Sequence, residues 1–439
     1  MTNEKIQDLL QIQESYEMPN RLMDILDDKE SREKLFDEFL KFETDLSYDW
    51  FTEYFQTEHG DRDKLKQDFT PVGISEIVSR LGGHPNVVHD ICSGTGGLVI
   101  KEWSQNKGAF FHCEEVSSRT VPILLFNMAI RGMTGELVHG DSLEQRIDCV
   151  YKLTNNGKYS DIEKVSTSES HAARKIISNP PYSLSWNLQD KEEDARFKDY
   201  GLAPKSKADY AFILHALYQL SDGGTMLAIL PHGVLFRSSQ EGKIRQQLIE
   251  KNMIDGVIGL PDNMFLNTSI PTLVFVLKNG KQDNSIFFID ASKECIKNGK
   301  LNIMTDSNID RVVNTYRQRE NVDKFSYLAS MEEIKENGYN LNIPRYVDTF
   351  EPEEVPDLMQ TIQELDAINQ EIKRTEYSVL EQMKQMVGTT PQADTVHKVD
   401  TFLFEQMLAS KYGKSLQKKK KQKPKKEEMY NQMDLSSFL

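Results

Sequence analysis

Ser178-Asn179-Pro180-Pro181-Tyr182 follows directly on the apolar run Lys175-Ile176-Ile177. Residue types in this order can hold a planar nitrogen. The Asn179 side-chain oxygen and the Pro180 carbonyl are two acceptors for one amino group. Pro180 and Pro181 fix φ near roughly −65° and remove backbone donors, so the loop is stiff and presents its carbonyl outward. Tyr182 adds a ring on which an unpaired base can stack. Taken without its neighbours, the string is equally a rigid surface turn, because Asn-Pro is ordinary turn chemistry.

A second group of residues fits a cofactor. Asp90-Ile91-Cys92-Ser93-Gly94-Thr95-Gly96-Gly97-Leu98 closes one apolar strand and opens a helix. Gly94 and Gly96 let the backbone turn tightly and approach a ligand without a Cβ clash. A dinucleotide loop wants a third glycine where Val99 stands. The acid before the glycines also disfavours a phosphate and suits a cationic amino group. Glu115 ends the next strand, where a carboxylate can take both hydroxyls of a ribose. Asp141, in Gly140-Asp141-Ser142-Leu143, ends a third, where it can accept from an adenine amino group. Upstream, Asp68-Phe69-Thr70-Pro71 offers a hydroxyl and backbone amides to a carboxylate. Each acid alone is explained as well by a helix cap. Three on successive strands after such a loop fit S-adenosylmethionine. The candidate cofactor set is Phe69, Thr70, Pro71, Asp90, Ser93, Gly94, Thr95, Gly96, Gly97, Glu115, Asp141, Ser142 and Asn179. Cys92 is a packing residue in this reading.

The elements that must carry these groups alternate. Seven apolar runs, at 86–90, 109–115, 136–141, 175–178, 225–231, 254–259 and 272–277, are separated by amphipathic segments. That pattern predicts an α/β fold with an open, mostly parallel seven-stranded sheet, whose ligands sit beyond the carboxyl ends of the strands. The expected divisions are an N-terminal helical region at 1–66 and a catalytic domain at 67–350. A C-terminal docking helix at 351–390 and a flexible, Lys-rich tail at 391–439 complete them. In the first region Trp50-Phe51-Thr52-Glu53-Tyr54-Phe55 is expected to pack on the domain that follows.

Composition narrows the class. The net charge of −15 argues against a protein that grips DNA unaided, since phosphate neutralisation supplies most non-specific affinity. The four scattered cysteines form no CxxC pair, so neither zinc nor a disulfide framework is expected, and no metal site is assigned. No apolar stretch reaches membrane-spanning length and no signal peptide opens the chain, so the expectation is a cytoplasmic protein.

Phe69-Thr70-Pro71, Asp90 with Gly94-Thr95-Gly96-Gly97, Glu115, Gly140-Asp141 and Asn179-Pro180-Pro181-Tyr182 occur in an order that resembles the γ-order N6-adenine DNA methyltransferases. Other stretches resemble the M (modification) subunits of type I restriction-modification systems. They are Arg196-Phe197-Lys198-Asp199-Tyr200-Gly201, Ala203-Pro204-Lys205-Ser206-Lys207-Ala208-Asp209, Leu230-Pro231-His232-Gly233-Val234-Leu235-Phe236-Arg237 and Tyr339-Asn340-Leu341-Asn342-Ile343-Pro344-Arg345-Tyr346-Val347. The resemblance covers residues 50–370. It departs from the family in a shorter N-terminal helical region and in Ile91-Cys92-Ser93, where Pro-Ala-Cys is frequent.

The resemblance implies methyl transfer from S-adenosylmethionine to N6 of an adenine flipped out of double-stranded DNA. Asn179 and Pro180 would act on the amino group, and Tyr182 would stack on the base. Phe265 falls where this class places a second base-packing aromatic; a core residue is the competing reading. Sequence specificity would come from a separate S (specificity) subunit, with two copies of this chain per S. Whether a restriction (R) subunit completes the system stays open. The same tetrapeptide also serves enzymes acting on protein glutamine or RNA adenine, and a non-catalytic scaffold would keep the fold. Phe69-Thr70-Pro71 and the M-subunit stretches favour DNA.

At the C-terminal end, Leu358, Ile362, Leu365, Ile372, Val379, Met383 and Met386 form a 3-4 apolar seam, broken by Asn369 and Glu376. It reads as a helix offered to the S subunit, or else one packed on its own domain. The lysine run 418–426 reads as a solvated tail. Residues 432–439, Gln-Met-Asp-Leu-Ser-Ser-Phe-Leu, resemble a sliding-clamp peptide. A terminus tucked against this chain or its partner is the simpler alternative.

Overall fold

The computed structural model describes residues 2–52, 54, 70–169, 171–266, 268–349 and 357–419. Phe69, the lysines beyond 419 and the 432–439 peptide lie outside the described residues. The chain divides after residue 350 into two units.

The first unit is built on one eleven-stranded sheet. Its strands are β1 (Val87–Asp90), β2 (Phe110–Glu115), β3 (Thr134–Asp141), β4 (Arg146–Asn155), β5 (Ser160–Val165), β6 (Ala173–Ser178), β7 (Leu220–Pro231), β8 (Ile254–Gly259), β9 (Thr272–Lys278) and β10 (Ile286–Asp290). A separate small ribbon pairs β11 (Ile296–Asn298) with β12 (Leu301–Ile303), and β13 (Ser326–Ala329) closes the main sheet. The spatial order is β13-β10-β8-β9-β7-β6-β1-β2-β3-β4-β5. Strands β7, β6, β1, β2 and β3 are mutually parallel, and β9 runs antiparallel to both neighbours.

The seven strands expected from sequence are the central seven, from β8 to β3. The count of seven is corrected to eleven by two strands at each edge. β4 and β5 form an antiparallel hairpin on β3, and β4 buries little beyond its middle, so it lacks the two-sided apolar run of a central strand. β13 is only four residues long.

Helix Val121–Ile130 explains the N-terminal region. All ten of its residues are buried. A helix apolar on every side must be covered on every side. The sheet covers one face, and helices Met18–Asp27 and Lys29–Leu40 with the segment after them cover the other. Phe126 meets Phe36, Phe39 and Phe51 at ring-centroid distances of 5.1, 4.9 and 5.2 Å. Burying each such ring contributes about 1.5–3 kcal/mol. Residues 1–66, expected as a region apart, therefore share one unit with the sheet.

Lys175, inside β6, is wholly buried. Its Nζ donates to the carbonyls of Ser79 (2.9 Å) and Gly83 (3.1 Å) and pairs with buried Glu102. The ion pair ties β6 to helix Gly97–Gln105, and the bond to the Ser79 carbonyl ties it to helix Val72–Arg80.

The second unit contains two helices, Leu358–Gln385 and Pro391–Lys419. They run antiparallel: Lys384 pairs with Glu405 at 3.0 Å, and Glu376 receives Lys411 and Tyr412. The second helix corrects the expectation of a flexible tail from 391. Thr390 caps it through Ala393 N (3.2 Å), Pro391 sits in its first turn, and Val396, Val399, Leu403 and Met407 recur at helical spacing. The lysine run beyond it drew the reading away from that periodicity.

Candidate active site

The order β6-β1-β2-β3 sets four parallel carboxyl ends side by side, and the connection from β1 runs outward to β2 while that from β6 runs the opposite way to β7. That is the switch point at which a crevice opens. One cleft there is lined by Thr70, Ser93, Gly94, Thr95, Gly97, Glu115, Asp141, Ser142, Asn179, Pro180, Pro181 and Tyr182. Twelve candidate residues, spread over more than a hundred positions, thus meet in one place.

Glu115 is buried and gathers the glycine loop. Its Oε2 accepts from Gly94 N at 2.8 Å, and its Oε1 accepts from Ser117 N at 2.7 Å and Thr120 Oγ1 at 3.4 Å. Burial pushes its carboxyl up, against the pull of these donors. A carboxylate offers about four lone-pair sites, so it retains acceptor capacity. Asp141 Oδ1 accepts from Leu143 N and Glu144 N, both at 3.0 Å, while Oδ2 takes no hydrogen bond among the described residues. Gly94 and Gly96 both have positive φ, +56° and +94°. A Cβ on Gly96 would stand 2.7 Å from Leu124 Cδ1.

Four candidates do not line the cleft as expected. Asp90 lies beneath the loop: its Oδ1 accepts from Cys92 N at 3.2 Å, and its Oδ2 is buried without a hydrogen-bond partner. Burial pushes this carboxyl up to about 8, with Glu115 and Glu114 adding to the shift. Gly96 makes the turn. Pro71 caps helix Val72–Arg80, its carbonyl accepting from Ile74 and Ser75. Phe265 is buried and packs edge-on against Tyr182, with centroids 6.2 Å apart at 83°. It buttresses that ring and does not face it across a slot. The reason is its apolar neighbourhood, which includes Met264 and Leu260.

The tetrapeptide is braced at both ends. Asn179 Nδ2 donates to Thr70 Oγ1 at 3.1 Å, and the Tyr182 hydroxyl donates to Asn179 Oδ1 at 2.8 Å. Thr70, expected to serve a cofactor carboxylate, thereby also steers Asn179.

Sequence reading missed a second layer. On the opposite face of β2, His112 is held between Glu136 (2.7 Å) and Glu114 (3.4 Å), and Glu114 also accepts from His215 and Gln219. Burial opposes the charge on His112, but the two carboxylates prevail and raise it to about 9. The His112-x-Glu114 alternation was the available signal. Among the described residues no cluster could hold a metal ion, and no helix is long and apolar enough to cross a membrane.

A doubly flanked sheet with an acid at three strand ends, a glycine turn and this cleft defines the S-adenosylmethionine-dependent methyltransferase fold. Residues 45–355 match the family model described as N-6 DNA Methylase, and the chain belongs to that family. It is 33% identical over 317 residues to the type I restriction enzyme MpnII methylase subunit of Mycoplasma pneumoniae, covering 68% of this chain and 56% of that one. It is 27% identical over 349 residues to the MjaVIII methylase subunit of Methanocaldococcus jannaschii, covering 74% and 56%. The crystal structure of a type I restriction-modification system methyltransferase subunit from Streptococcus thermophilus is similar at 38% identity and a TM-score of 0.58, over 65% of this chain and 60% of that one. The chain thus spans a little over half the length of the curated relatives it matches.

Proposed function

We propose that this chain is the modification subunit of a type I restriction-modification system, methylating N6 of adenine in double-stranded DNA with S-adenosylmethionine. The observation that carries the reading is the meeting of Asn179-Pro180-Pro181-Tyr182 with the glycine loop, Glu115 and Asp141 in one cleft.

The residues present suit the cofactor. An orphaned buried oxygen on Asp90, spare acceptors on Glu115 and Asp141, and open space where a Gly97 Cβ would stand form a cradle rich in acceptors. Thr70 would hold the amino-acid end, with Asp90 beneath the glycine loop shaping it through Cys92 N, Glu115 the ribose and Asp141 with Ser142 the adenine. When bound, the cofactor supplies an electrophilic methyl group. The chain's own part is positioning. The exocyclic amino group of adenine is a poor nucleophile because its lone pair is delocalised into the ring. Asn179 Oδ1 and the Pro180 carbonyl draw its hydrogens out of plane and localise that pair. Such acceptors act through pre-organisation, without a covalent intermediate on the protein. Tyr182, backed by Phe265, stacks on the flipped base.

Recognition of a target sequence falls to an S subunit, two copies of this chain serving one S. The helical hairpin supports this: Leu358, Leu365 and Ile368 are 71%, 57% and 53% exposed, and Phe402 and Leu403 are each 58% exposed. Apolar side chains left exposed along both helices support a docking role. The net charge of −15 agrees with a partner supplying part of the DNA grip. A restriction subunit and a clamp contact through 432–439 are further proposals that the assembly would allow.

The test is methyl transfer from labelled cofactor to DNA, RNA and protein, with and without a co-expressed S subunit. Label in DNA that depends on S, and is lost when the target adenine is replaced, is the expected result. Transfer to RNA or to protein glutamine in place of DNA would overturn it.

A further inference from the structure

The glycine loop is held from outside by the N-terminal region. Asp49 accepts from Phe51 N (3.0 Å), Thr52 Oγ1 (2.7 Å), Asn127 Nδ2 (2.8 Å) and Thr95 Oγ1. Asn127 Nδ2 also donates to the Thr95 carbonyl at 2.8 Å. Behind them Arg131 is buried and donates to Asn127 O and Oδ1 (both 2.9 Å), Leu46 O (2.8 Å) and Tyr48 O (2.7 Å). Both the hydroxyl and the carbonyl of Thr95 are thus bound by groups from outside the loop. Thr95 and Thr52 line the cleft.

A loop carrying two positive-φ glycines has many conformations to lose when it closes on a ligand. Ordering it beforehand lowers that cost and raises affinity. We propose that Asp49 is a positioning residue for the cofactor: acting through Thr95, it sets the glycine loop in its binding conformation, so the N-terminal region is part of the cofactor site. The inference rests on the reading that this cleft takes S-adenosylmethionine. Asp49 does not bond the Asn179 tetrapeptide among the described residues, so its effect belongs to cofactor affinity and not to the handling of the base.

The test is calorimetry of the full-length chain with S-adenosylhomocysteine, beside methylation rates measured with the S subunit. Asp49→Ala and Thr95→Val should each weaken binding by roughly 10-fold to 100-fold, the range of a lost charge-assisted hydrogen bond. The double variant should be no weaker than either single one. Asp49→Asn keeps an oxygen acceptor and should recover most of the affinity, and kcat at saturating cofactor should stay within about three-fold of wild type. Phe36→Leu, a core change in the same N-terminal helices, serves as the stability control. Wild-type affinity in Asp49→Ala, additive losses in the double variant, or an affinity loss in Phe36→Leu equal to that of Asp49→Ala at the same melting temperature would overturn the proposal. If the wild-type chain binds no S-adenosylhomocysteine or S-adenosylmethionine, the cofactor reading itself fails and takes this inference with it.

Discussion

The Tyr182 hydroxyl donates to Asn179 Oδ1 at 2.8 Å, and so holds the acceptor that the proposed mechanism assigns to the target amino group. Tyr182 is 9% exposed, and its ring is fixed by Phe265. On that mechanism an entering base would exchange one donor for another at Asn179. Tyr182→Phe keeps the ring and removes the competing donor, so KM for DNA should not rise. Tyr182→Ala removes the stacking face and should raise it by roughly 5-fold to 150-fold, given about 1–3 kcal/mol per stacked base. Steady-state kinetics that find Phe as damaging as Ala would assign the hydroxyl the larger role.

Asn179→Ala removes the acceptor proposed for the reacting amino group. We predict a loss of about 10²–10³ in kcat with S-adenosylhomocysteine affinity nearly unchanged. Glu115→Ala should do the opposite, weakening the ligand first, because its carboxylate shapes the loop through Gly94. Calorimetry and single-turnover rates on the same preparations separate the two. A matching affinity loss in Asn179→Ala would place that residue in the wrong role.

Asp90 ties stability to pH. Its folded-state pKa of about 8 lies above the ordinary 3.8 because the carboxyl is buried. Between those values the native chain holds a proton that the unfolded chain has released. Its contribution is thus fully present below about pH 4 and is lost as pH rises toward 8. Asp90→Asn should flatten the decline in chemical-denaturation midpoint between pH 5 and pH 8, a window chosen from that shift. A variant whose profile runs parallel to wild type would show that Asp90 is already ionised.

Lys175 and Glu102 form a buried pair in which burial lowers the lysine and raises the carboxyl to about 7. Lys175→Ala strands Glu102 and should cost about 3–5 kcal/mol of unfolding free energy. Lys175→Met combined with Glu102→Leu should cost much less. Equal losses for the two would mean the lysine contributes chiefly through the Ser79 and Gly83 carbonyls.

Removal of residues 351–439 should leave cofactor affinity intact and abolish co-purification with the S subunit. Retained capture of S by the shortened chain would move the docking surface into the first unit.

How much of this was legible in the sequence depends on locality. Asp90, Glu115, Asp141 and Asn179 each stand at the end of an apolar run, so strand pattern and chemistry reinforced one another. The central seven strands were legible for the same reason, being buried on both faces. Asp49, Asn127 and Arg131 were not, since the bonds that join Asp49 to Thr95 and Asn127, and Arg131 to Leu46 and Tyr48, span dozens of positions. Phe265 was placed by analogy of position, but whether an aromatic faces a slot or backs another ring depends on packing that sequence spacing does not encode. Edge strands β4 and β5 and the helix Pro391–Lys419 were missed because they bury few residues, and β10 and β13 because each is only four or five residues long.

The alternation along β2 places two neighbouring carboxylates under opposite regimes. Glu115 serves the glycine loop on one face, while Glu114 is committed to His112, His215 and Gln219 on the other. A slip of one residue would carry each side chain of β2 to its neighbour's place on the other face. Glu114 or Val116 would then stand where Gly94 finds its acceptor, and Cys113 or Glu115 where His215 and Gln219 find theirs. Register on β2 is thus specified by charge as well as by apolar pattern: a slip in either direction would leave Glu136 facing Phe111 or Cys113 in place of its histidine, whatever ligand the cleft takes.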